Sequence, residues 1–411
     1  MDNIKYLIYT FSLLFKPLFF CVTSLLGINY VGSESSNLLI VSSIIVVLLV
    51  GICFFAGIRR NFNNYLIFAL ILILSVVIFY LLESNGGSLS KRMIRSFMAE
   101  SVPAILVGID IAKNKTIAKT AKWLEVGMIL MTLYILIYIP SKILGMTIGL
   151  AEFYQAVSYY SAFAFCINLF FILFGENFNR FSFAKGKWYR IISFLFLFLQ
   201  IISCLISGGR GGAVLILISI VFLFYYGRKM FSLSKILFFS ISVFLSGIFL
   251  FAYLPDEVKS MAETGSERTF SYISNNGIDM SNTSNRDIFY ERAIKYIDEK
   301  PITGYGFIGY TEIGNWYPHN IILEILLQGG SVFLIIIILV LIYLFAKIRR
   351  IIRVDFENLI ILCYALYPLV MLQFTGSYVM TPMFWFVVTY IIVFHISKKL
   401  NRQRGVLNIV K

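Results

Sequence analysis

Apolar residues run along this chain in stretches of 18 to 25, separated by short polar breaks. A helix rises about 1.5 Å per residue, so about 20 apolar residues cross the roughly 30 Å hydrocarbon core of a bilayer. The pattern predicts an all-α membrane bundle of twelve transmembrane helices, near 6–26, 38–58, 65–83, 93–111, 123–140, 155–174, 189–206, 213–227, 233–254, 320–346, 358–375 and 380–397. One polar segment interrupts it. The chain divides into nine spans over 1–254, a loop over 255–319, and three spans with a basic tail over 320–411. Within the loop, 262–285 is rich in Ser, Asn and Gly and reads as irregular. Ser284-Asn285-Arg286-Asp287 then matches a helix-starting box. Ile288, Phe289, Ala293, Ile294 and Ile297 recur at helical spacing until Pro301. Residues 286–299 are therefore expected as an amphipathic helix on the membrane surface or on the bundle.

The charges orient the bundle. With the N-terminus cytoplasmic, the inside loops carry Arg59-Arg60, Lys113 to Lys122, Arg180 to Arg190, Arg228 to Lys235, Lys347 to Arg353 and the Lys398 to Arg404 tail. The short outside loops carry few. Positive charge favours the inside, and the alternation holds only if the polar fourth span, with Arg95, Glu100 and Pro103, crosses. Both termini are then expected to be cytoplasmic and the 255–319 loop extracytoplasmic.

Composition agrees: 59% of residues are hydrophobic and 14% charged, against about 25% charged in soluble domains. The net charge of +14 lies in topogenic loops, which argues against a nucleic-acid partner. All five cysteines fall inside apolar runs, with neither disulfide nor metal-ligand placement. No A-x-A-like cleavage site follows the first apolar run, so that span is expected to remain.

Three groups converge on the outer side by topology. Arg210 sits in Ser207-Gly208-Gly209-Arg210-Gly211-Gly212, before a helix whose N-terminus faces out. Exposed amides, the helix dipole and a guanidinium suit a phosphate; a tight turn with an arginine reaching lipid headgroups is the alternative. Arg286, in the first turn of the surface helix, opposes the dipole unless an anion binds there. The alternative is a solvated pair with Asp287 or Glu291. His319, one of two histidines, opens the tenth span after Trp316-Tyr317-Pro318. Beside a helix N-terminus an imidazole stays neutral, as a general base needs; an interfacial aromatic belt is the alternative. Asn320 is placed to cap that helix. Glu324, one turn in, is an intramembrane carboxylate and a functional candidate on that ground. Arg92, Arg95 and Glu100 either line a cavity or, for the last two, pair with each other. No Walker A, H-E-x-x-H or D-x-D occurs, so no cofactor and no metal is expected. A reaction on that side needs an already activated substrate, such as a lipid-linked pyrophosphate.

The ordered set is the G-R-G turn, then Asn285-Arg286-Asp287 with Ala293-Ile294, and then Lys300-Pro301-Ile302-Thr303-Gly304-Tyr305-Gly306. His319-Asn320-Ile321-Ile322-Leu323-Glu324 and Gln328-Gly329-Gly330 complete it. It resembles the O-antigen ligase/polymerase superfamily of bacterial membrane glycosyltransferases, over roughly 205–332. The resemblance implies a GT-C-like fold and metal-independent, inverting transfer of a glycan from undecaprenyl pyrophosphate. It casts Arg210 and Arg286 as pyrophosphate ligands and His319 as the base on the acceptor hydroxyl. The family's turn usually reads S-R-G-x, so here the arginine is displaced by a residue or two. Richness in Phe, Ile, Asn and Lys, associated with AT-rich polysaccharide clusters, favours a polymerase acting with a chain-length regulator and a flippase. A ligase to lipid A-core or another acceptor is the alternative. A transporter is a further one, although twelve-span carriers place their long loop centrally and inside.

Overall fold

The computed structural model describes residues 2–26, 33–57, 88–143, 154–228, 286–314 and 316–396, together with 256, 259–260, 263–264, 273–274 and 277–278. The third and ninth expected spans and most of the long loop lie outside the described residues.

Helices dominate. In chain order they are α1 (Asp2–Leu13), α2 (Phe15–Leu25), α3 (Ser33–Phe55), α4 (Ser88–Ser96), α5 (Val102–Asn114), α6 (Ala121–Ile143), α7 (Tyr154–Phe174), α8 (Lys187–Ile206) and α9 (Arg210–Gly227). They continue with α10 (Arg286–Glu299), α11 (Tyr310–Ile313), α12 (Ile321–Val354), α13 (Ile361–Met371) and α14 (Pro382–Val393). One antiparallel hairpin pairs Ile273–Ser274 with Gly277–Ile278. Among the described residues six helices are long and apolar enough to cross a membrane, or seven if α1 and α2 are one span. This is a helical membrane protein.

Several expectations change in detail. The first span is bent by 77° between α1 and α2. The fourth is helical from α4 to α5 through a π turn at Phe97–Ser101. It is too polar to count among the six and packs instead along α3 and α14. Glu100 does not pair with Arg95; its partner is Lys16, 2.6 Å away on α2. The last two spans contain short helices, α13 and α14, the former preceded by a 3₁₀ turn at Phe356–Ile360.

α7 is the centre of the bundle, packed against α6, α8 and α9. Several polar groups inside it bond to one another. Asn168 donates to Gln200 (3.2 Å) and to the Ser193 carbonyl (2.9 Å), and Gln200 donates to Thr132 (2.7 Å). Such interhelical bonds matter where no water competes.

The two ends of the bundle differ. At one, Phe174 meets Phe356 (5.6 Å), Lys115 lies over Phe394 (5.5 Å), Arg180 pairs with Glu125, and Lys347 donates to the Ile392 carbonyl (2.8 Å). Lys115, Arg180 and Lys347, which alternation assigns to one side, all lie here. At the opposite end lie the starts of α7, α9, α12 and α14 and the C-terminus of α13.

Candidate functional site

Three chain segments build the site at that opposite end. The first is the glycine turn before α9. Gly208 has φ +64°, and α9 begins at Arg210 with Gly209 as its cap residue and no side-chain cap. The glycines let the turn press onto α7. A Cβ on Gly211 would stand 1.9 Å from the Tyr159 hydroxyl, and Ser158 donates to the Gly209 carbonyl at 2.9 Å. The Gly212 amide turns back to the Gly209 carbonyl at 3.0 Å, and the half-buried Arg210 opens the helix.

The second segment is the entry to α12. Here the first amides are already taken. Asn320 accepts from the amides of Ile322 (2.9 Å) and Leu323 (3.2 Å), as its cap role predicts, and the Ile321 amide donates to the Leu372 carbonyl (2.9 Å). The preceding residue, His319, has φ +54°, a left-handed conformation. That costs a non-glycine residue roughly 1 kcal/mol or more and is often found at functional sites. The His319 ring lies 4.4 Å from Tyr317 and 5.7 Å from Phe289 of α10. Trp316 fixes the turn, its ring within 6.4 Å of Phe289, Tyr296 and Tyr310, with the Arg292 guanidinium 5.7 Å above it.

Glu324 is buried one turn below His319. Tyr310 donates to it at 3.1 Å and Ser377 at a short distance, while Tyr378 donates to Gln328. Burial first, and then the Glu324 charge, hold the Tyr310 hydroxyl well above its ordinary range, so it remains a donor. Burial also raises Tyr317, and the nearby Arg92 guanidinium on α4 works against that rise. Tyr310, Ser377 and Tyr378 were not singled out from sequence. The available signal was the polar break Gly376-Ser377-Tyr378 between two apolar runs.

The third segment is α10 and the turns after it. Arg286 is the first residue of α10, as the helix box predicts; its side chain lies outside the described residues. α10 rests on α12 with Phe289, Ala293, Tyr296 and Ile297 inward. Ile288 and Ile294, expected on the same face, are exposed instead. The Lys300-to-Gly306 and Gln328-Gly329-Gly330 motifs prove to be two halves of one joint. α12 is broken at Gly329 and Gly330. The freed carbonyls of Leu327 and Gln328 accept from the amides of Tyr305 and Gly306, each at 2.8 Å. Gly304 and Gly330 both have φ +61°, and a Cβ on either would stand 2.6 or 2.3 Å from backbone of the other strand of the joint.

His319 and the start of α10 are thus adjacent through Phe289. The Arg210 turn stands at the same end through a chain of contacts. Gly211 lies against Tyr159, the neighbouring Tyr160 and Phe163 hold Tyr367 of α13 (6.5 and 4.7 Å), and α13 ends at the carbonyl that receives Ile321.

Residues 195–338, roughly a third of the chain, match the family model described as O-Antigen ligase. The match supports the O-antigen ligase/polymerase superfamily for this region. The O-antigen ligase region contains Arg210, Arg286, His319, Asn320, Glu324 and the glycine joint. The match supports glycosyl transfer in the broad sense. No curated protein and no solved structure matches the chain.

Proposed function

We propose that the protein is a surface-polysaccharide polymerase of O-antigen type. It transfers a glycan from undecaprenyl pyrophosphate to a sugar hydroxyl on another lipid-linked repeat unit, at the extracytoplasmic face of the bacterial plasma membrane. The reading extends the architecture to twelve spans of GT-C-like arrangement with both termini cytoplasmic. What carries it is the family match over the region that holds the uncapped arginine turn and the strained His319 turn.

His319 takes the proton from the acceptor hydroxyl as that oxygen attacks the anomeric carbon. The bond from that carbon to the pyrophosphate oxygen breaks on the opposite face, which inverts the configuration. Proton transfer of this kind contributes about 10²–10⁴-fold. Arg210, at the N-terminus of α9, and Arg286 offset the charge gathering on the departing pyrophosphate. One well-placed donor of this sort supplies roughly 3 kcal/mol. Asn320 and Glu324 support the base by fixing the start of α12. No metal and no cofactor enters the scheme. A flippase and a chain-length regulator of the same pathway are the expected partners.

The matched family's description favours a second reading, a ligase that passes the glycan to lipid A-core or another acceptor. Reconstituted vesicles containing only lipid-linked repeat units separate the two. A ladder of lengthening glycans supports the polymerase. Dependence on an added second acceptor supports the ligase, and no transfer under either condition overturns both.

A further inference from the structure

The opposite, basic end of the bundle carries a cavity of about 230 Å³ between the end of α7 and the start of α8. Its wall includes Arg180, Lys185, Arg190, Tyr189, Ser193 and Phe178. Arg180 is committed to the buried Glu125 carboxylate through two nitrogens and is flanked by the Phe171 and Tyr189 rings at 5.3 and 5.6 Å. Its remaining nitrogen, Nη1, lies against Gly175, another residue of the cavity wall. Lys185 is exposed at the rim. Arg190 meets only the exposed Glu176, at 2.8 Å, among the ion pairs of the described residues, and an exposed pair of this kind is weak and easily exchanged.

Directly beside the rim, α8 presents Trp188, Ile191, Ile192 and Leu195 outward, 75%, 45%, 42% and 51% exposed. The spacing of these four places them on one helical face. A cationic hollow at the boundary thus opens onto an apolar track leading into the hydrocarbon, with an indole at the junction, where tryptophan is favoured.

We infer that this cavity binds the phosphodiester headgroup of an anionic phospholipid, whose acyl chains lie along the Trp188–Leu195 face of α8. Lys185 and Arg190 supply the charge, with the Glu176 carboxylate giving way to phosphate. Arg180 and Tyr189 form the floor. The site lies at the end of the bundle away from Arg210 and His319, and it does not depend on the glycosyl-transfer reading.

The test uses the full-length protein in detergent, titrated with dioleoyl phosphatidylglycerol or dioleoyl phosphatidylcholine, with bound lipid counted by native mass spectrometry. Two cations at an anionic headgroup give a preference for phosphatidylglycerol of roughly tenfold or more. Lys185→Gln/Arg190→Gln removes that preference, and Lys185→Arg/Arg190→Lys retains it. These side chains are exposed, so folding is not at stake, and an unchanged melting temperature verifies this. Arg350→Gln/Arg353→Gln, at the same end but away from the cavity, keeps the preference. Equal binding of the two lipids, an equal loss in the Arg350/Arg353 variant, or displacement of phosphatidylglycerol by equimolar inorganic phosphate would each overturn the proposal.

Discussion

Two helices begin at the same end of this bundle and are finished in opposite ways. α9 starts on an uncapped glycine turn with Arg210 as its first residue. α12 starts with its amides closed by Asn320 and the Leu372 carbonyl, and with a buried carboxylate in its first turn. The first places a guanidinium at a helix N-terminus without a side-chain cap, a combination suited to an anion. The second spends its potential internally and uses the resulting rigidity to hold His319 in a left-handed conformation. Under the proposed glycosyl-transfer reading, charge binding falls to the first helix start and proton chemistry to the second.

Removing the base should give the largest effect. His319→Ala is expected to insert normally and to lower glycan transfer by about 10²–10⁴-fold, read as loss of chain elongation on a gel. Arg210→Gln and Arg286→Gln should each lower transfer by about 100-fold, through the loss of roughly 3 kcal/mol of leaving-group stabilisation. Lysine at either position should recover only part of it, because an ammonium cannot grip phosphate in bidentate fashion. Gly330→Ala should act on the scaffold instead, destabilising the protein by roughly 1–3 kcal/mol in thermal unfolding, because it places a Cβ against the Ile302 carbonyl at a positive φ. The smallest effect is expected for Asn320→Ala, about 1 kcal/mol of stability from the lost cap. Transfer should fall less than in the Arg210 variant; a fall as deep as that of His319→Ala would mean that Asn320 takes part in the chemistry.

Much of this was legible in the chain. Apolar run length located most of the described helices, since crossing a bilayer imposes a length few other structures require. The box at Ser284 to Asp287 and Pro301 bracketed α10, and Asn320 was visible as a cap because capping is local chemistry. What depended on contacts distant in sequence was not readable. The two glycine motifs could be quoted but not joined, since Tyr305 and Leu327 meet only after α12 breaks. Glu100 was offered nearby Arg95 as a partner because Lys16, which it meets, is far away in the chain. The inward face of α10 was misjudged at Ile288 and Ile294 because periodicity gives the stripe and not its rotation. The hydroxyls on Glu324 come from two separate segments, at Tyr310 and Ser377, and no spacing reveals them.

The division of labour between the two helix starts is tested most directly by the affinity of purified protein for undecaprenyl pyrophosphate, measured for wild type, Arg210→Gln and His319→Ala. The predicted result is weaker binding for Arg210→Gln, and for His319→Ala an unchanged Kd with no turnover of lipid-linked repeat units. Undiminished binding by Arg210→Gln, or an equal loss of binding in both variants, would contradict it.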